Sequence, residues 1–217
     1  MNRAILNFDM DDTLVATKPT LLRLSYERAV ELGNKQLANI FKETVYLGKD
    51  ITELDKSVQD FVEQEVIVKR TYMDIANPSD MILRLGLTGF CDKLDGLVNK
   101  YGDDLQINIC THRGDNDAAW RSTYNWLVKH SLYRFITRIH SIDFTTDKLD
   151  YLNSWYKGDT VLLVDDNPFG SSKQIRPTNE SVLIFDGHRK LPAQTNQRKY
   201  INFDCITNMV EKSLFGS

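Results

Sequence analysis

The sequence predicts an α/β protein in which a doubly wound parallel sheet carries a helical insertion after its first strand. Three observations predict this fold. Short, strongly apolar segments recur along the chain, as in buried strands of a parallel sheet. Helical patterns lie between the later segments, which favours right-handed crossovers. A long stretch without a strand pattern follows the first segment.

Four apolar segments are predicted to be strands, and each is followed by polar residues. They are residues 4–8, 105–110, 160–164 and 182–185. Their length and their β-branched and aliphatic content are typical of strands that are covered on both faces. These segments therefore form the predicted sheet.

Three helices are predicted around the later strands. Residues 87–101 lead into the second strand, and residues 116–129 follow it with Trp120 and Tyr124 spaced for one helical face. Residues 148–156 precede the third strand. The alternation of strand and helix is the pattern that builds a doubly wound sheet.

The segment from residue 16 to residue 85 has several amphipathic helical patterns, separated by glycine-containing breaks such as Gly33-Asn34. It is too long to be a loop. We expect residues 16–85 to form a helical cap subdomain, and residues 1–15 and 86–217 to form the α/β core.

Composition narrows the class of protein. The chain has 217 residues and a net charge of -3, which argues against broad binding to nucleic acid or to an anionic membrane. No apolar run approaches the length of a membrane span. The three cysteines form no metal pattern, and their odd number favours a reducing compartment. We therefore expect a soluble, cytoplasmic protein.

Acidic residues follow two of the predicted strands. Asp9 and Asp11 come directly after the first strand, and Asp165 and Asp166 come after the third. Because ligands bind beyond the carboxyl ends of parallel strands, these side chains are expected to meet. Such a cluster repels itself unless a cation or protons neutralise it. Ligands that are all oxygen, with no His or Cys cluster, indicate Mg²⁺.

The second strand ends in Thr111-His112-Arg113, which offers a hydroxyl group and backbone N–H groups to an anion. Lys148 begins a predicted helix and is a source of positive charge. Thr111, His112 and Lys148 are therefore candidate anion ligands. Arg113 is a candidate for contacting a substrate, with pairing to a core acid as the alternative.

These residues, in this order, resemble the motifs of the haloacid dehalogenase (HAD) phosphatase family. The family has DxDx[TV] after a first strand, a Thr or Ser after the second, a Lys, and an acidic pair after another strand. The matching positions are Asp9, Asp11, Thr13, Thr111, Lys148, Asp165 and Asp166. The resemblance covers roughly residues 3–15 and 87–185 and implies a Rossmann-like core.

The resemblance also implies a role for each residue. Asp9 is expected to attack phosphorus, and Asp11 to act as general acid and base. Mg²⁺ is expected between Asp9, the backbone carbonyl of Asp11, and Asp165 or Asp166. Thr111 and Lys148 are expected to hold the phosphoryl oxygens. Asp12 stands where many members of the family have glycine, and we interpret it as a tolerated turn residue.

The substrate is less sharply indicated than the chemistry. The strand ends resemble the 5'-nucleotidase branch, which includes the 5'(3')-deoxyribonucleotidases, so a nucleoside monophosphate is the leading expectation. Phe41 and Tyr46 in the predicted cap are candidates for contacting a base. The alternatives are a sugar phosphate or a phosphorylated nucleic-acid end, a phosphomutase reaction, and a HAD-fold binding protein without turnover.

Overall fold

The computed structural model describes residues 2–69, 72–114, 116–166, 182–185, 199–200 and 203–215. The chain divides into two compact units. One comprises Met1–Leu14 and Pro78–Ser217, and the other is Val15–Asn77. All the candidate motif residues lie in the first unit, so the geometry of the site is internal to it.

Six parallel strands form the sheet of the first unit, in the order β3-β2-β1-β4-β5-β6. Their bounds are Ala4–Phe8 (β1), Leu105–Thr111 (β2), Arg138–Ser141 (β3), Thr160–Asp165 (β4), Val182–Phe185 (β5) and Lys199–Tyr200 (β6). The predicted doubly wound α/β fold is confirmed, and all four predicted strands are present. The sequence did not predict β3 and β6.

The strand order reverses at β1, which lies between β2 and β4. In register, Phe8 is level with Ile109 of β2 and Val164 of β4. The backbone N–H of Asp9 donates to the carbonyl of Val164 at 2.9 Å, which extends this pairing past the end of β1. The carboxyl ends of the three central strands therefore lie at the same edge of the sheet, with β2 extending two residues beyond Ile109. The residues at these ends meet at the switch point where open α/β sheets bind ligands.

Helices form the second unit. They are Thr17–Glu31 (α1), Lys35–Leu47 (α2), Lys56–Val62 (α3) and Tyr72–Ile75 (α4). Their core contains Leu22, Ala29, Phe41, Val58 and Val62. The two ends of the unit meet where the Ala16 N–H donates to the carbonyl of Asn77 at 2.9 Å. Because its two ends are adjacent, the insertion can follow β1 in the chain without separating that strand from its neighbours in the sheet.

The described helices of the first unit surround the sheet. They are Asp80–Leu83 (α5), Gly86–Tyr101 (α6), Asp117–Lys129 (α7), Lys148–Trp155 (α8) and Phe203–Phe215 (α9). Phe8 of β1 packs against Phe90 of α6 and Phe203 of α9, with ring centroids 6.4 Å and 6.1 Å away. This apolar packing fixes β1, and with it the residues that follow.

The boundary after the helical unit differs from the expected one, because the unit ends at Asn77 rather than at residue 85. Ser79 explains the difference. Its N–H donates to the Leu14 carbonyl at 2.8 Å, and its hydroxyl donates to the Thr13 carbonyl. Met81 and Ile82 are buried. These contacts attach α5 to the segment after β1.

Among the described helices, none is long and apolar enough to cross a membrane.

Candidate active site

Lys148 lies between two carboxylates at the centre of the sheet edge. Its Nζ donates to Asp9 Oδ1 at 2.7 Å and to Asp165 Oδ2 at 2.6 Å. All three side chains are buried, with at most 6% of their surface exposed. Lys148 is the first residue of α8, which Asp147 caps by accepting from the N–H of Asp150. The start of a helix thus positions the ammonium group.

Burial and charge act against each other at this centre. Burial, together with the charges of Asp165 and Asp11, outweighs the attraction of Lys148 and raises the pKa of Asp9 to about 7. Burial lowers the pKa of Lys148, but Asp165 and Asp9 outweigh it, so the pKa of Lys148 is raised and the ammonium is retained. Burial and the neighbouring acids therefore favour the protonated form of Asp9, and Lys148 offsets this only in part.

A third carboxylate completes a candidate cation site. Asp9, Asp165 and Asp166 each offer a carboxylate oxygen, and these oxygens lie within 4.8 Å of one another. When ionised they carry three negative charges against the single positive charge of Lys148. An all-oxygen set with surplus negative charge suits Mg²⁺. A divalent cation there would also favour the ionised form of Asp9, so the residues present fit the metal.

Thr13 ties the two acidic segments together. Its hydroxyl accepts a hydrogen bond from the Asp166 N–H at 2.9 Å. Thr13 is completely buried. This contact holds the end of β4 against the segment that follows β1, which explains why a hydroxyl residue suits this position of the motif.

Thr111, the last residue of β2, has a buried hydroxyl that finds no partner in the described part of the chain. Its Oγ1 has no hydrogen bond to any residue that the structure describes, and the side chain is completely buried. Leaving a buried hydroxyl unpaired costs about 1–3 kcal/mol. A phosphoryl oxygen bound at this edge would supply the missing partner.

His112 follows Thr111 in the chain, but its side chain contacts the loop before α8. Its Nε2 lies 2.8 Å from the Thr146 carbonyl, two residues before Lys148. Burial, aided by Lys148, lowers the pKa of His112, so the neutral ring is favoured. A neutral ring that bonds a carbonyl through Nε2 carries its proton there. The side chain therefore ties the loop before α8 to the end of β2, and it is not directed at an anion.

Arg113 pairs with the predicted acid–base residue. Its Nε donates to Asp11 Oδ2 at 2.7 Å, and its Nη2 donates to Asp11 Oδ1 at 2.5 Å. Of the two alternatives drawn from the sequence, the structure supports pairing with a core acid. The Asp11 side chain does not belong to the three-carboxylate group, which is compatible with a metal contact through its backbone carbonyl alone.

Comparison with known proteins identifies the fold. No protein-family model and no curated protein matches the chain. Solved structures do match. One is described as a predicted phosphatase from Clostridium acetobutylicum, with a TM-score of 0.55, 14% identity, and coverage of 98% of this chain and 99% of that one.

Two further matches are similar. A HAD-superfamily hydrolase of subfamily IA from Geobacter sulfurreducens has a TM-score of 0.52 and 12% identity, covering 96% of each chain. A predicted phosphoglycolate phosphatase from Haemophilus somnus has a TM-score of 0.54 and 12% identity, covering 96% of this chain and 98% of that one. The chain has the HAD-like fold. Identities this low establish the fold alone.

Two aromatic residues of the unit inserted in the HAD-like fold were expected to contact a base. Phe41 is completely buried in the core of that unit, and its ring packs 5.9 Å from that of Phe61. Phe41 packs between the helices of this unit, so the expectation that it contacts a base is corrected: it is a core residue. Tyr46 lies on α2 with 88% of its surface exposed, and its role as a substrate contact stays a prediction.

The sequence did not reveal how β3 supports the candidate site. The Ser141 hydroxyl donates to the Gly114 carbonyl at 2.7 Å, and the Gly114 N–H donates to the Ile142 carbonyl at 3.0 Å. These bonds hold the loop that carries His112 and Arg113. Ile139 and Ile142 are β-branched residues typical of a strand, and they were the available signal.

Proposed function

We propose that the chain is a Mg²⁺-dependent phosphatase that hydrolyses phosphomonoesters through an aspartyl-phosphate on Asp9. The observation that carries this proposal is the buried Asp9–Lys148–Asp165 group, next to the Thr111 hydroxyl of the neighbouring strand, which has no partner among the residues that the structure describes. The fold and the motif order support it together. A purely structural acid pair would account for the buried lysine, but not for the neighbouring Thr111 hydroxyl, which has no partner among the described residues.

In the first step, a carboxylate oxygen of Asp9 attacks phosphorus and the bond from phosphorus to the ester oxygen breaks. Asp11 gives its proton to the departing oxygen, so the leaving group departs as an alcohol. Lys148 and Thr111 donate to the phosphoryl oxygens, stabilising the negative charge there. Asp9 Oδ1 is hydrogen bonded to Lys148, so Oδ2 is the candidate attacking atom.

In the second step, water attacks the phosphorus of the aspartyl-phosphate. Asp11, now ionised, takes a proton from that water, and the bond between phosphorus and Asp9 breaks. Inorganic phosphate and the free carboxylate result, and Asp11 is again protonated for the next turnover. The same residue thus serves as acid and then as base.

The metal would be held by Asp9, Asp165 and Asp166, whose carboxylate oxygens lie together, and by the Asp11 carbonyl. When bound, Mg²⁺ supplies positive charge that offsets the charge on the nucleophile and the phosphoryl group. We assign the direct ligand role to both Asp165 and Asp166.

For the substrate, we propose a nucleoside monophosphate. The resemblance of the strand ends to the 5'-nucleotidase branch supports this choice, and Tyr46 is its remaining aromatic candidate. A small phosphorylated acid or sugar is the second candidate. It is favoured by the structural neighbour whose name specifies phosphoglycolate.

The test is phosphate release from a panel of phosphomonoesters with Mg²⁺ or EDTA. The panel contains ribo- and deoxyribonucleoside 5'- and 3'-monophosphates, phosphoglycolate, sugar phosphates and end-phosphorylated oligonucleotides. Metal-dependent release supports a phosphatase, and the preferred compound identifies the substrate class. Transfer of phosphate within a sugar phosphate without release would support a mutase. Folded protein that binds Mg²⁺ and turns over none of these would favour a binding role.

A further inference from the structure

Arg113 grips Asp11 through two parallel hydrogen bonds, and the pair is more buried on the arginine side. Nε and Nη2 of Arg113 bond the two carboxylate oxygens of Asp11 at 2.7 Å and 2.5 Å. The Arg113 side chain has 6% of its surface exposed, and the Asp11 side chain has 30%. Bidentate pairing of this kind fixes the plane of the carboxylate as well as its distance.

The remaining nitrogen of the guanidinium is turned towards the protein. Arg113 Nη1 lies 3.5 Å from Thr123 Oγ1 on α7, a long contact. Thr123 is completely buried, and its hydroxyl donates to the Ala119 carbonyl at 2.9 Å, which leaves its oxygen able to accept from Arg113. One edge of the guanidinium thus faces Asp11, and the other faces α7. In this position the guanidinium is not directed at a phosphate.

The pairing leaves Asp11 able to exchange a proton. A carboxylate has about four acceptor sites, and two of them are occupied by Arg113. The exposed part of the pair belongs mainly to Asp11, so Asp11 is the member of the pair that a bound ester can reach.

We propose that Arg113 is a positioning residue that holds the Asp11 carboxylate in the orientation from which it protonates the leaving group. This inference rests on the proposed function. Its consequence is selective. Removing Arg113 impairs the reaction most for esters whose leaving oxygen needs a proton, and least for esters whose leaving group departs as a stable anion. Substrate binding, which depends on Lys148 and Thr111, changes little.

The experiment compares phenyl phosphate with p-nitrophenyl phosphate, which differ mainly in how readily the phenol leaves. kcat and KM are measured for the unmodified chain, Arg113→Met and Arg113→Lys. Misplacing a general acid by about 1 Å costs up to ~10²-fold, so the Arg113→Met variant is expected to lose roughly 10–100-fold in kcat on phenyl phosphate. Its loss on p-nitrophenyl phosphate is expected to be severalfold at most, with little change in KM.

Two controls separate this effect from general damage. Arg121→Met makes the same change of charge at an exposed position of α7 and is expected to leave both esters unaffected. Arg113→Lys keeps the charge beside Asp11 but cannot form the two-bond fork. Its loss is expected to be intermediate and equally selective, and it provides the test if the Arg113→Met variant does not fold.

Three results would overturn the inference. Equal losses on both esters with a raised KM would make Arg113 a phosphate ligand. Unchanged kcat on both esters would mean that the pair has no part in turnover. An unmodified chain that hydrolyses neither ester would reject the proposed function itself, whereas the first two results arise only with an active unmodified chain.

Discussion

The ammonium group of Lys148 lies 2.7 Å from Asp9 Oδ1, and both side chains are almost completely buried. The same ammonium is 2.6 Å from Asp165. A buried charge without a partner is costly, and a single cation here serves two carboxylates. Lys148 therefore has a structural role as well as the proposed role in binding the phosphoryl group.

Replacing Lys148 with methionine should destabilise the protein and strengthen its response to metal. Two buried carboxylates lose their cation, so the free energy of unfolding in EDTA should fall by roughly 3 kcal/mol. Mg²⁺ should then raise the melting temperature of this variant more than that of the unmodified chain. Thermal unfolding with and without Mg²⁺ measures both effects.

The control is Lys157→Met, at an exposed position shortly after α8. It should change neither stability nor the response to Mg²⁺. If Mg²⁺ shifts the Lys148→Met variant no more than the unmodified chain, the three carboxylates do not form the metal site.

Thr111→Val should separate binding from stability. Valine removes the buried hydroxyl that has no described partner, so the free energy of unfolding should be unchanged or higher by about 1 kcal/mol. The same substitution should weaken binding of beryllium fluoride with Mg²⁺, a mimic of the phosphorylated aspartate. Melting temperatures with and without the mimic report both quantities.

Thr123→Val is the matched comparison for stability, because its hydroxyl is hydrogen bonded to Ala119. It should lower the free energy of unfolding by about 1 kcal/mol. A Thr111→Val variant that is destabilised as much as Thr123→Val, and that binds the mimic normally, would remove Thr111 from the anion site.

Asp12 adopts a left-handed backbone, with φ at 57°. This explains why glycine is common at this position in the family that the motif resembles, since glycine adopts this conformation without steric cost. Asp12→Gly and Asp12→Ala both remove the carboxylate group, but only alanine retains the Cβ. The alanine variant should be less stable than the glycine variant by about 1 kcal/mol. Denaturant unfolding of the two measures the difference, and equal stabilities would argue against the left-handed turn.

His140 should make stability depend on pH. It is buried between Tyr151 and Tyr156, with Nε2 2.8 Å from the Tyr156 hydroxyl, and burial lowers its pKa to about 4. The unfolded chain protonates this ring near its ordinary pKa of about 6.5. The contribution of the neutral ring to stability is therefore complete above that pH and is lost as the pH falls towards 4. With allowance for solvent screening, the loss is on the order of 2 kcal/mol.

The measurement is the free energy of unfolding between pH 4 and 7 for the unmodified chain and for His140→Gln. The glutamine variant should be less stable at pH 7 and should show a flatter profile across this range. Profiles of the same slope would mean that His140 does not titrate differently on folding.

The sequence predicted the central strands because each is a short segment rich in aliphatic residues, although Gln106 and Asn108 interrupt β2. It missed β3 because polar residues such as Arg138 and His140 interrupt that strand, and β6 because Lys199–Tyr200 is too short to carry a pattern. The sequence also did not predict the polar network around the buried Asn7 and Asn108 of β1 and β2. The Asn108 side chain donates to Asn7 Oδ1 and to the Tyr156 hydroxyl, and these partners are far apart in sequence.

At the site, the positions were predictable and the partners were not. Asp9 and Asp165 follow strands that the sequence identifies, so their meeting follows from parallel topology. The pairing of Arg113 with Asp11 and the contact of His112 with Thr146 depend on loop conformations that no local pattern specifies. The burial of Phe41 was decided by packing between helices of the inserted unit.

The measurement that tests the central claim most directly is trapping of the phosphoryl group during turnover. The chain is mixed with a labelled substrate from the panel and Mg²⁺, quenched in acid, and digested for peptide mapping. We predict label on the peptide that contains Asp9, its loss on alkaline hydrolysis, and no label or turnover in a folded Asp9→Asn variant. Turnover that persists in Asp9→Asn, or label on another residue, would contradict the assignment of Asp9 as the nucleophile.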